Sequence, residues 1–155
     1  MSTAMHEEII LGFDFGEKRI GVAVGNTVTS HAEPLTTLHV ESNRDRLDAV
    51  GKLVAEWQPS RFVIGEASHA DRVLGNAVGK ESHPIAHLAH KFGNRLHENF
   101  HLPVVYVNEF LTSAAAEQSL SARGIKGVAQ KEHIDAVAAQ IILQSYLDNV
   151  DRHAA

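Results

Sequence analysis

The chain has 155 residues, 44% of them hydrophobic and 21% charged, an ordinary globular balance with enough apolar material for a hydrophobic core. The absence of cysteine excludes a disulfide framework and thiolate metal sites. A net charge of −5 argues against an indiscriminate nucleic-acid binder, though not against an enzyme that engages nucleic acid through a local basic rim and metal ions.

No stretch approaches the roughly 20 apolar residues of a membrane span, and Met1 to Glu8 is polar and acidic. A soluble cytoplasmic protein with no membrane partner is therefore expected. Eleven histidines make the charge pH-sensitive: if all protonate, it moves from −5 towards +6. No repeat, low-complexity tract or linker interrupts the chain, so one domain over residues 1–155 is expected.

The pattern is densest near the start. Two apolar runs, Ile9 to Phe15 and Ile20 to Gly25, flank Gly16-Glu17-Lys18-Arg19, which predicts a β-hairpin. The first run is apolar on both faces, as in a central strand, yet Asp14 interrupts it. A buried carboxylate needs a cation, a hydrogen bond or a function. Gly16 and Gly21 leave room for something to approach it.

Thr27 to Leu38 suits a third strand, with Pro34 marking an edge or a bulge. Asn43 is the expected N-cap of a helix carrying Leu47, Val50, Val54 and Trp57, stopped by Gln58-Pro59-Ser60. Arg61 to Gly65 reads as a buried strand, which predicts a β-α-β unit with parallel pairing. Glu66 to Ser82 shows no clear period and reads as a loop.

Pro84 opens a helix to about Asn99 with Ile85, Leu88, Ala89, Phe92 and Leu96 as its core stripe. His83, His87, His90 and His97 fall opposite that stripe, so an exposed polar face explains them better than a metal site. Nucleic-acid affinity should then rise as pH falls from about 7.5 to about 5.5. Pro103 to Val107 is the fifth strand, Thr112 caps a short helix through Ser121, and a loop from Gly124 to Lys131 leads to a last helix. Ile134, Val137, Ala138, Ile141, Ile142 and Ser145 form one face of that helix. The fold class is α/β, a five-stranded mixed sheet flanked by helices.

Three acids occupy informative places: Asp14 at the end of strand one, Glu109 after strand five, and Asp135 in the expected first turn of the last helix. Carboxylates that converge repel one another unless a cation neutralises them, and hard oxygen ligands suit Mg²⁺ or Mn²⁺. Such a site can cleave phosphodiesters. Each acid alone also fits a cap or a solvated side chain, and Asp135 early in a helix complements the dipole. Spacing leaves both readings open.

Three segments resemble the YqgF family, also called RuvX. Phe13-Asp14-Phe15-Gly16-Glu17-Lys18-Arg19-Ile20-Gly21-Val22-Ala23-Val24-Gly25 is similar to its opening signature. Asn108-Glu109-Phe110-Leu111-Thr112-Ser113-Ala114-Ala115-Ala116-Glu117 resembles its middle segment, and residues Ile134 to Leu147 its closing one. The resemblance implies an RNase H-like fold and a nuclease acting on pre-16S rRNA or on Holliday junctions. It implies that Asp14, Glu109 and Asp135 bind the metal. Lys18, Arg19, Arg123, Lys126 and Lys131 become the substrate-binding residues. The implied partners are structured RNA or branched DNA, with the protein a monomer or a homodimer; junction resolution would require the dimer.

Departures from the family pattern fall after strand four, within the middle segment and before the last helix. Gly65-Glu66-Ala67-Ser68-His69-Ala70-Asp71-Arg72 lacks the usual proline. Phe110 stands where an arginine would make a bidentate phosphate contact, and the basic run before the last helix is thinned. Glu66 falls where related resolvases carry a catalytic glutamate, although an exposed loop glutamate is the favoured reading of a lone carboxylate in a polar loop. Two other functions stay open at this point: a catalytically silent nucleic-acid-binding paralogue, and an actin-like ATPase, which would need a second such domain.

Overall fold

The computed structural model describes residues 7–16, 18–65, 84–107 and 127–154. Five strands form one sheet: β1 (Ile9–Asp14), β2 (Arg19–Asn26), β3 (His31–His39), β4 (Arg61–Gly65) and β5 (Val104–Val107). Their order across the sheet is β3-β2-β1-β4-β5. The first three are antiparallel neighbours, whereas β4 pairs parallel to β1 and β5 parallel to β4. Three helices are described: α1 (Asn43–Trp57), α2 (Pro84–Phe100) and α3 (Gly127–Ala154). The expected mixed sheet and hairpin are both present, and β1 lies at the centre. The short helix expected over 112–121 and the loop over 66–82 lie outside the described residues.

Alternation along the strands divides the core into two unlike layers. Leu11, Phe13, Ile20, Val22, Phe62 and Ile64 fill one face, closed by Val50 of α1 and by Ala89, Phe92 and Leu96 of α2. Aromatic rings dominate there: Phe13 meets Phe62 at 5.8 Å and Phe92 edge-on at 5.5 Å between centroids. The opposite face is built of small side chains, and α3 presses Ala139, Ile142, Leu143 and Leu147 into it. A Cβ on Gly12 would lie 2.8 Å from that of Leu143, and one on Gly25 2.9 Å from its Cδ2. The helix reaches the backbone of the sheet because these residues offer no side chain.

Two glutamines fix α3 along its length. Ala32 on the outer strand donates its N–H to Gln144 Oε1 at 2.9 Å, and its carbonyl accepts from Gln140 Nε2 at 2.9 Å. Gln144 Nε2 also donates to the Ser30 carbonyl at 2.7 Å. The Ala32 groups belong to an edge strand, and satisfying them blunts it against pairing with another chain. Near the far end of the helix, Arg61 Nη1 donates to Tyr146 Oη at 2.8 Å.

Four local expectations are corrected. The N-cap of α1 is Ser42, whose hydroxyl accepts from the Asp45 N–H at 3.0 Å, and Asn43 is the first helical residue. An acid three residues after a serine makes the better start, since it reinforces the cap. Helix α3 begins at Gly127, within the segment Gly124 to Lys131 that reads as a loop. Val128 to Glu132 contains no breaker, and the long packed helix behind it overrides the glycine signal. The sheet-facing stripe of α3 is Ala139, Ile142, Leu143 and Leu147, while Ile134, Val137, Ala138 and Ile141 form a separate cluster. Finally, His90 is half-buried and stacked on Tyr106 with centroids 3.9 Å apart, whereas His87 and His97 are exposed as expected. Pro34 does sit at a bulge: Val22 pairs with Thr36 and Ala23 with Pro34, leaving Leu35 as the additional residue.

Candidate active site

Asp14 is the last residue of β1, at the edge where β4 and β5 also end, since Phe13 pairs with Ile64 and Gly65 with Val107. Its neighbour Phe15 is buried against Phe92 at 5.2 Å between centroids and lies 5.3 Å beneath the Arg46 guanidinium. The chain on both sides of the acid is thus anchored on the aromatic face. The acid itself, by alternation, belongs to the face that α3 covers.

Directly opposite Asp14 in the antiparallel ladder is Gly21. Residues so paired share a face, with Cβ positions about 5 Å apart. A Cβ on Gly21 would collide with the backbone carbonyl of Asp135. The missing side chain is what allows α3 to descend here, and it sets Asp14 and Asp135 on either side of one glycine. The room that the sequence reserves beside Asp14 is filled by the backbone of the helix that carries the second acid.

Asp135 lies in the third turn of α3 rather than the first, because the helix starts at Gly127. Dipole stabilisation fades within the first turn, so helix-end placement does not account for this acid. Its side chain is 18% exposed, and its Oδ2 lies 3.0 Å from Nε of Arg19, itself 42% exposed. Arg19 opens β2 two residues before Gly21, on the same face, with His39 of β3 as its cross-strand partner. Lys18 is exposed on the turn, and its carbonyl accepts from the Val40 N–H at 3.1 Å, which ties the turn to the end of β3.

Of the residues expected to act, the structure brings Asp14, Asp135, Arg19 and Lys18 to one end of the sheet. Glu109, Glu66, Arg123 and Lys126 lie outside the described residues. The backbone of Lys131 is in the second turn of α3. Among the described residues no group of three histidine, aspartate or glutamate side chains gathers to hold a metal. Asp14 and Asp135 are set on either side of Gly21, and Asp135 already holds a cationic group. Sequence reasoning places Arg19 on the substrate rim and misses its pairing with Asp135. A strand glycine opposite an acid was the available signal for that approach.

The profile of the RuvX family, described as Holliday junction resolvase, matches residues 8–149. A Dechloromonas aromatica protein named "Putative pre-16S rRNA nuclease" is 50% identical over 140 residues, covering 90% of each chain. A Methylobacillus flagellatus protein of the same name is 45% identical over 141 residues and 91% of each chain. Among solved structures, T. thermophilus RuvC in complex with a Holliday junction substrate superposes with a TM-score of 0.53 at 14% identity, covering 93% of this chain and 96% of that one. The fowlpox virus Holliday junction resolvase also gives 0.53, at 16% identity and 91% and 99% coverage. These two share the RNase H-like fold seen here. The match over residues 8–149 and the identity to both bacterial relatives establish that the chain belongs to the RuvX family.

Proposed function

We propose that this protein is a metal-dependent nuclease that hydrolyses phosphodiester bonds in 5′-end processing of pre-16S rRNA, as a single cytoplasmic domain. The observation that carries the reading is the placement of Asp14 and Asp135 on either side of Gly21, at the edge where the three parallel strands end. The relatives' names support the substrate.

Asp14, Asp135 and Glu109 would hold Mg²⁺ or Mn²⁺. Their donor atoms are carboxylate oxygens, the set such ions prefer. Arg19 at Asp135 marks a position where positive charge is already favourable. Bound divalent ions would supply activation of the attacking water and neutralisation of charge on the leaving oxygen. The chain's own contribution is positional. Asp14 is fixed by the hairpin ladder and by Phe15 packed beneath it; Asp135 is fixed by the seating of α3 on Gly21. Lys18, exposed on the turn, draws phosphate towards the acids, with Arg123, Lys126 and Lys131 as further contacts. Structured RNA is the proposed partner.

A second reading, junction resolution, is favoured by the family description and by the fold shared with RuvC. It demands two active sites and hence a homodimer. Cleavage of structured RNA and of four-way DNA, each with Mg²⁺ and with Mn²⁺, separates the readings. The expected result is metal-dependent RNA cleavage that Asp14→Asn abolishes. Junction cleavage by a dimer, with RNA left intact, would reverse the preference. No activity on either substrate would favour the catalytically silent paralogue.

A further inference from the structure

We propose that Arg19 is a displaceable counter-ion, which holds Asp135 in the metal-free protein and gives it up when the metal binds. The inference rests on the reading of Asp135 as a metal ligand and adds a residue to that site. Three features of the pair support it.

The first is the contact. Nε of Arg19 lies 3.0 Å from Oδ2 of Asp135, an ion-pair contact that lacks hydrogen-bond alignment at this buried oxygen. A guanidinium keeps its charge under all working conditions. A divalent ion ligated by that carboxylate would stand within a few ångströms of it, and two cations so close repel strongly. Metal and guanidinium therefore compete for one carboxylate.

The second is the asymmetry of exposure. Asp135 is 18% exposed, on a helix pressed against the sheet, while Arg19 is 42% exposed at the first position of β2. The acid is held by packing, and the arginine has solvent to turn into. When the pair opens, Arg19 is the partner that moves. The third is its neighbourhood. Arg19 follows exposed Lys18 on the hairpin turn. A guanidinium released from Asp135 joins the rim that a phosphodiester must cross, so the charge that guards the empty site becomes available to substrate. In the metal-free protein Arg19 acts through Asp135, and that role is one of positioning.

Mn²⁺ titration by calorimetry, with no nucleic acid present, tests this on Arg19→Gln, Arg19→Met, Arg19→Lys and Asp135→Asn. Removal of the charge should tighten Mn²⁺ binding by roughly five- to tenfold in both Arg19→Gln and Arg19→Met, as expected for losing a partly exposed competing pair. Arg19→Lys keeps the charge and should stay within about twofold of wild type. In an Asp135→Asn background the Arg19→Gln change should lose its effect, since the coupling runs through that carboxylate. The metal-free melting temperature of the neutral variants should fall, and Mn²⁺ should raise it by more than in wild type.

Equal or weaker Mn²⁺ binding by both neutral variants would overturn the proposal, because it would make Arg19 a support of the site rather than a competitor. That outcome leaves the metal site standing. Unchanged Mn²⁺ affinity in Asp135→Asn alone would instead remove Asp135 from the metal site, and the two failures are distinguishable.

Discussion

The two faces of the sheet are built on opposite principles. Towards α1 and α2, Phe13, Phe62 and Phe92 interlock with Leu11, Ile20 and Val22, so large side chains hold the layers together. Towards α3, Gly12, Gly21 and Gly25 take the side chains away, and the helix meets the backbone. The first face supplies bulk burial. The second supplies a location, because a helix seated against backbone has one position along the strand. The site belongs to the second face, and the aromatic face serves it by anchoring Phe15 beneath Asp14.

That contrast can be broken from either side. Phe13→Ala should be the most damaging to stability, by about 3–5 kcal/mol in denaturant unfolding, as for other buried aromatic truncations. The molecules that remain folded should bind Mn²⁺ within about twofold of wild type, since α3 still rests on Gly21. Gly21→Ala should do the reverse. Its Cβ meets the Asp135 carbonyl, so α3 must shift, at a cost of about 1–3 kcal/mol, the usual range for overpacking. Mn²⁺ affinity should collapse with it. If Gly21→Ala kept its metal affinity, the two faces would not differ in the way described.

Gln144→Ala sharpens the same point from a distance. It leaves the Ala32 N–H and the Ser30 carbonyl without their side-chain partner on α3, which should cost about 1–2 kcal/mol. Native-state hydrogen exchange at Ala32 should accelerate, and Mn²⁺ affinity should fall only modestly. The smallest effect concerns pH. RNA affinity at constant salt should rise severalfold between about pH 7.5 and pH 5.5, as histidines gain charge while the carboxylates stay ionised. A flat profile would mean that the histidines do not face the substrate.

The hairpin was legible in the sequence because its signals agree: two apolar runs, a glycine-containing turn, and one acid that has no place in a buried strand. Asp14 at the end of a central strand follows from those alone. The position of Asp135 was only half legible. Its residue type and the family resemblance single it out, but Gly124 and Gly127 read as loop, and only tertiary packing shows that the helix starts two turns earlier. The same limit applies at Ser42, where two adjacent residues can each cap a helix and local geometry selects one. The Arg19 pairing was not legible at all, since it joins residues 116 positions apart through a contact that Gly21 makes possible. The proposed part of Glu109 in the site comes from sequence resemblance.

The central claim is that Asp14 and Asp135, set astride Gly21, share one metal site. The most direct measurement is the Mn²⁺ affinity of wild type, Asp14→Asn, Asp135→Asn and the double variant, by calorimetry on folded protein. Each single variant should lose at least roughly tenfold in affinity, and the double variant should lose far less than the product of the two, because groups that serve one ion are not additive. Two independent losses that multiply, or a single variant that binds Mn²⁺ as wild type does, would contradict the account.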